Sequence, residues 1–306
     1  MLWWTNKRRV RTLSNAALCV LLLSFLPLAA EALPLIDDRG AAIERKRPAA
    51  RIVSLAPFIT ELIYAVGAGG KLIAVSAYSD YPPAARALPR VGDAATFDVE
   101  KLLALRPDLV IAWKSGNSLS EIERLERLHI PVLVVEAQKL DDIPRVMRLI
   151  GSAAGAADGE TAARNFTDRL TALRLRHRDK RLVSVFLEIW HSPLMTVSGR
   201  HFASDALTVC RGANVFADAA GLTVHVNVES VLAADPEAIV GGASNEDRGA
   251  LARNWQRFPY LKAVRNGHIF YLHPDLIQRQ TPRILDGVEQ LCAALESTRK
   301  PAGSPK

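Results

Sequence analysis

The chain is 306 residues long, 49% hydrophobic and 23% charged, with a formal net charge of +7 at pH 7. Lys7, Arg8, Arg9 and Arg11 against Glu31 contribute +3 of that, which leaves +4 (7 − 3) beyond residue 32. So mild and scattered a surplus excludes nucleic-acid binding as the main role, and the length suits two lobes of ordinary size.

Residues 1–32 read as a secretory signal peptide. The four basic residues form its n-region, and Ala16 to Leu28 form an apolar stretch too short for a comfortable membrane span. Ala30-Glu31-Ala32 is an A-x-A cleavage site. Cys19 lies within the apolar stretch without a good lipobox, so it reads as an incidental apolar residue. The Arg8-Arg9 pair leaves the export route open between the general and twin-arginine pathways. Export places a mature chain of 274 residues (306 − 32) in the periplasm.

Residues 33–50 are expected as a flexible arm, and 51–145 as an N-terminal lobe. Ile52-Val53-Ser54-Leu55 reads as a strand, followed by a helix starting near Thr60-Glu61. Leu72 to Val75, Leu109 to Ala112 and Val132 to Val135 are further strands. Nearly continuous apolar strands with helices between them indicate a parallel sheet covered on both faces. Residues 146–182 form a connecting helical segment. Within it, from Asp158 to about Lys180, Ala162, Phe166, Leu170 and Leu173 fall at helical spacing. One helix of about 20 residues there spans roughly 30 Å and resists large opening motions. The strand pattern resumes in a C-terminal lobe, 183–300, with Val185 to Leu187, Ala238 to Val240 and Ile269 to Tyr271; residues 301–306 are a tail. The expected fold is α/β: two Rossmann-like lobes with mainly parallel sheets, joined by one long rigid helix.

One motif occurs twice. Val99-Glu100-Lys101-Leu102-Leu103-Ala104-Leu105-Arg106-Pro107-Asp108-Leu109-Val110-Ile111 recurs 129 residues later (229 − 100) as Val228-Glu229-Ser230-Val231-Leu232-Ala233-Ala234-Asp235-Pro236-Glu237-Ala238-Ile239-Val240. Each copy follows a capping residue, Asp98 or Asn227, and reads as a short helix ended by a proline that feeds a buried strand. The repeat puts Glu100 and Glu229 at equivalent places in two similar lobes. An acidic residue in a first helical turn also has a plain use, in favouring the helix dipole.

No phosphate-binding glycine loop and no G-x-S-x-G elbow is present. The seven histidines are dispersed. A zinc site from His191, His225 and His273 is imaginable, but polar or pocket-lining histidines are the commoner case. No catalytic residue, resident metal or cofactor is therefore expected. An exported two-lobed chain without a catalytic signature reads first as a binding protein. Two cysteines, Cys210 and Cys292, remain after the signal peptide. In an exported chain they suggest one disulfide, with two buried free thiols as the alternative. A bond would close a loop of about 82 residues, for which chain entropy gives roughly 4.5 kcal/mol.

Four segments carry a family resemblance: Ser76-Ala77-Tyr78-Ser79-Asp80-Tyr81-Pro82-Pro83, Pro107 to Trp113, Leu207 to Phe216, and Asp275 to Leu285 followed by Gln290-Leu291-Cys292. Over about residues 51–297 the chain resembles the periplasmic binding proteins of iron-siderophore and cobalamin ABC importers, with the cobalamin branch closest. The resemblance implies a corrinoid, cobalamin, as transported ligand and an inner-membrane ABC permease dimer as partner of a monomeric carrier. Heme or a ferric siderophore in the same fold is the alternative, and an exported cleft enzyme the alternative of another class. Tyr78 matches a ligand-contacting tyrosine. Asp275 and Arg279, with Leu276, Ile277 and Gln278 between them, match a segment that meets the ligand from the second lobe. Trp113 and Trp190 lie at strand ends near the expected cleft, and flat rings suit a corrin. Cys210 and Cys292 match the family's disulfide, and Glu100 and Glu229 match permease-docking glutamates. Relatives of the closest type carry tryptophans where this chain has Ala94, Thr223 and Leu276, which implies a wider or less aromatic cleft.

Each of these residues also has a bland reading. Tyr78 can be a half-buried strand-end tyrosine, Trp113 and Trp190 core residues, and Asp275 with Arg279 a surface pair of little energy.

Overall fold

The computed structural model describes residues 1–4, 35–242 and 248–300. All but the first four residues of the expected signal peptide lie outside the described residues, as does the tail 301–306.

Residues 35–50 are not the flexible arm that the sequence suggests. Strands β1 (Leu35–Ile36) and β2 (Ala42–Ile43) pair antiparallel. Asp37, only 4% exposed, is the reason: its carboxylate accepts from the backbone N–H of Arg39, Ala41 and Val134. Ile43 and Ala49 then join the core. Two-residue strands are too short to leave a periodic signal.

The first lobe holds β3 (Ile52–Ser54), β4 (Leu72–Val75), β5 (Leu109–Trp113) and β6 (Val132–Val135), in the order β4-β3-β5-β6 and all parallel. Every residue of β3 and β6 is buried, as a sheet covered on both faces requires. Its helices are α1 (Pro57–Ala65), α2 (Val99–Leu105), α3 (Leu119–Arg127) and α4 (Asp142–Ala154). The first of them starts three residues earlier than expected. Proline suits a first helical position, and buried Thr60 lies inside the helix, donating to Ser54 Oγ at 2.9 Å.

The expected connecting helix is present as α5 (Asp158–His177), 20 residues long. Phe166, Leu170 and Leu173 bury its inner face as expected, joined by Ala163 rather than by Ala162, which is only half-buried. Its start packs closely on α4: a Cβ on Gly151 or Gly159 would come within 3.0 Å of the other's Cα. Ion pairs fasten it on both sides. Arg148 reaches Glu160 at 2.7 Å, and Arg174 pairs with Asp141 at 2.8 Å on the side of the first lobe. Arg169 reaches Asp286 and Glu289 of the second lobe at 2.6 and 3.1 Å.

The second lobe contains strands β7 (Val183–Glu188), β8 (Met195–Val197), β9 (Gly212–Asn214), β10 (Thr223–His225), β11 (Ala238–Gly242) and β12 (Ile269–Leu272). Its helices are α6 (Phe202–Val209), α7 (Val228–Ala234), α8 (Arg248–Gln256), α9 (Lys262–Arg265), α10 (Pro274–Ile277) and α11 (Ile284–Arg299). Four strands form a parallel sheet in the order β12-β11-β7-β9, the same winding as in the first lobe. The antiparallel pair β8–β10 is an addition that the sequence did not announce. Cys210, after α6, and Cys292, in α11, are disulfide-bonded with an S–S distance of 2.03 Å. No helix among the described residues is long and apolar enough to cross a membrane.

The repeated motif is a structural repeat. Asp98 caps α2 by accepting from the Lys101 N–H, and Asn227 caps α7 by accepting from the Ser230 N–H. Both helices end on a left-handed residue, Arg106 with φ 47° and Asp235 with φ 40°. The acidic residue after each proline then reaches back to its lobe's first strand. Asp108 accepts from the N–H of Ala50 and Arg51, and Glu237 from the N–H of Ser184.

Candidate ligand-binding cleft

Open α/β sheets bind ligands beyond the carboxyl ends of their strands. Here β5 ends in Trp113, β6 leads to Glu136, β7 leads to Trp190, and β12 leads to Asp275. The ends of β5 and β6, the start of α6 and the segment after α10 line an open cavity of about 110 Å³ between the lobes, whereas Tyr78, Trp190, Asp275 and Arg279 are not part of its lining. Trp113, Glu136 and Gln138 line it from the first lobe; His201, Phe202, Gln278 and Gln280 line it from the second.

Trp113 is half-buried and held on three sides. Its N–H donates to Asn117 Oδ1 at 2.6 Å, and its indole N–H to Glu136 at 3.2 Å. Its ring meets Phe58 edge-on, centroids 5.6 Å apart. Gly116 has to be glycine for this placement, because a Cβ there would sit 1.8 Å from the ring. Tyr78 and Trp190 are not core residues: they are 72% and 62% exposed. Tyr78 is held at φ 62°, a left-handed conformation uncommon outside glycine. The Trp190 indole donates to the Ser192 carbonyl at 2.9 Å.

Asp275 and Arg279 do pair, at 2.9 Å, but they belong to a larger cluster. Arg279 also donates to Glu61 at 2.9 Å and to the Tyr78 carbonyl at 3.3 Å. Arg283 adds two bonds to Glu61, at 2.8 and 2.7 Å, and stacks 3.8 Å from the Tyr81 ring centroid. Between Asp275 and Arg279, Leu276 is half-buried and Gln278 is exposed. Ile277 is a correction. It is 6% exposed and belongs to the core, because the short helix α10 turns it inward.

His201 is a cleft residue that sequence reasoning missed. Its Nδ1 accepts from the Ala203 N–H at 3.1 Å, capping α6, so Nε2 carries the proton. Burial holds its pKa down to about 4. The three histidines weighed as a zinc site have other surroundings. His191 bonds Glu188 at 2.9 Å, His273 caps α10 through the Asp275 N–H, and His225 lies in β10. Burial pushes the Glu188 carboxyl above the usual range, against bonds from the Trp255 indole and His191. Glu100 and Glu229 are both exposed, each in the first turn of its helix.

Residues 52–276 match the model of the periplasmic binding protein family. The chain belongs to this family. Among its family relatives, the vitamin B12-binding protein of Vibrio cholerae is 38% identical over 254 residues, which cover 83% of this chain and 91% of the relative. The vitamin B12-binding protein of Pectobacterium carotovorum is 34% identical over 259 residues, 84% of this chain and 92% of the relative. The crystal structure of the periplasmic vitamin B12-binding protein BtuF of Vibrio cholerae superposes with a TM-score of 0.76, covering 83% of this chain and 99% of that one. The periplasmic heme-binding protein RhuT of Roseiflexus shares the fold at 23% identity, with a TM-score of 0.73 over 82% of this chain and 99% of its own.

Within this family frame, Glu61, Glu136, His201, Gln280 and Arg283 are the polar groups about the cleft that were not foreseen. Glu61 did leave a signal. It is an acid between Ile59, Thr60, Leu62 and Ile63 on an otherwise apolar helix, and buried acids need partners.

Proposed function

We propose that this chain is a periplasmic carrier that captures a corrinoid, cobalamin, in the cleft and hands it to an inner-membrane ABC importer. The observation that carries the reading is the 38% identity to a vitamin B12-binding protein across 91% of that protein's length. The cleft chemistry agrees with it. Tyr78 and Trp190 offer exposed aromatic faces, and Trp113 a half-buried one, for a flat macrocycle. Gln278, Gln280 and His201 offer hydrogen bonds for an amide rim. Cobalamin is cargo on this reading rather than a cofactor, and no covalent chemistry is performed on it. Asp275 contributes through Arg279, and Leu276 edges the same segment. The carrier works as a monomer and docks through Glu100 and Glu229, one on each subunit of a permease dimer.

Calorimetric titration of the mature protein with cyanocobalamin, hemin and ferric siderophores tests the reading. Cyanocobalamin should bind at micromolar concentration or below. Binding of hemin or a siderophore alone would overturn the corrinoid assignment and leave the carrier role.

A further inference from the structure

Glu61 is a first-lobe carboxylate, 4% exposed, and the side-chain partners found for it belong to the other lobe. Arg279 gives it one hydrogen bond and Arg283 two, all between 2.7 and 2.9 Å. Paired guanidinium–carboxylate bonds of this kind are strong and fix orientation. The cluster is balanced, with Glu61 and Asp275 against Arg279 and Arg283. It therefore exerts little long-range pull on charged cargo, and its effect is local.

Its place in the chain gives it a second face. Arg279 lies between Gln278 and Gln280, two residues of the cavity lining, and Arg283 follows three positions on. The segment 278–283 thus holds the first lobe with some residues and lines the cleft with others. The same arginines reach the aromatic loop of the first lobe, through the Tyr78 carbonyl and the Tyr81 ring. Separating the lobes would strand a desolvated carboxylate, which is costly. The lobe spacing at which Glu61 is satisfied is also the one at which Gln278 and Gln280 meet the first-lobe residues Trp113, Glu136 and Gln138 around the cavity.

We propose that Glu61 is a positioning residue for cargo retention: through Arg279 and Arg283 it sets the width of the cleft and the aim of the Gln278 and Gln280 amides. The retention half of this proposal rests on the corrinoid reading; the spacing half does not.

The test uses the full mature chain with its disulfide intact. Spin labels are placed at two exposed sites, Arg127 of the first lobe and Asn266 of the second, and the interlobe distance is read by double electron–electron resonance. Release of cyanocobalamin is followed by stopped flow. Wild type should give one narrow distance. Glu61→Gln should add a longer, broader population and speed release about tenfold, with a smaller change in association. Glu61→Asp, which keeps the charge, should fall between the two. If Glu61→Gln does not fold by circular dichroism, Arg283→Gln carries the same measurements. A folded variant with unchanged distances and release overturns the proposal, as does a variant that loses stability with both unchanged. Failure of wild type to bind cyanocobalamin would refute the corrinoid reading, and the distance measurement would still decide the role of Glu61.

Discussion

At Trp113 the backbone and the ring are fixed separately, Asn117 holding the first and Glu136 the second, with Gly116 leaving room. Gly116→Ala should displace the ring without removing it. Affinity for cyanocobalamin is expected to fall about tenfold or more, the scale of losing one well-packed aromatic contact. The urea midpoint should fall as well, because the displaced ring gives up its bond to Glu136 and its contact with Phe58, and indole fluorescence should report the shift. His201 gives a pH-dependent prediction. Its folded pKa of about 4 lies below the ordinary 6.5. Between those values the unfolded chain takes up a proton that the folded chain refuses. Stability is thus full above pH 6.5 and declines as pH falls toward 4, by about 3 kcal/mol in all. His201→Asn keeps a cap for Ala203 and should flatten that part of the profile in thermal melts of the ligand-free protein. Such residues are hard to read from sequence. Trp113, which lines the cavity, was named only through the family resemblance, and Tyr78, which does not line it, rests on that resemblance as well. His201, Glu136 and Gln280 were not reached, because one polar residue at an element's end leaves no periodicity.

The elements were far more legible. The long apolar strands and the Asp158 helix declare themselves because burial on both faces, or a 3.6-residue stripe, repeats often enough to be counted. The hairpin β1–β2 and the pair β8–β10 have only two or three residues per strand and cannot repeat anything. The duplicated motif was readable as a helix and strand. Its carboxylate ties, Asp108 to Ala50 and Arg51 and Glu237 to Ser184, depend on residues more than fifty positions away. At this scale the disulfide is the testable joint, between the end of α6 and α11. Cys210→Ser with Cys292→Ser should lower unfolding free energy by about 4.5 kcal/mol, given the separation of 82 residues. Denaturant titration should register the loss, while cyanocobalamin affinity at low denaturant stays close to wild type.

For the whole molecule the governing feature is the single connecting helix, fastened by Arg148 and Arg174 on one side and Arg169 on the other. Each pair alone is weak, but the close approach of Gly151 and Gly159 adds packing that a hinge of extended strands lacks. On the proposed reading, Glu100 and Glu229 face a two-fold permease as equivalent acidic knobs. Glu100→Ala with Glu229→Ala should leave cyanocobalamin affinity within about twofold and abolish stimulation of the transporter's ATPase, since such charges set register and encounter more than cargo binding. Normal uptake by the double mutant would reduce both glutamates to helix-terminus residues.

The stiffness of α5 also bears on traffic at the membrane. A carrier that scarcely changes shape shows the transporter the same face whether laden or empty. Unladen copies then queue for the same seat, and each occupies it without delivering. Raising the amount of carrier at fixed vitamin should first speed import and then slow it, with the turnover point set by the ratio of carrier to cargo.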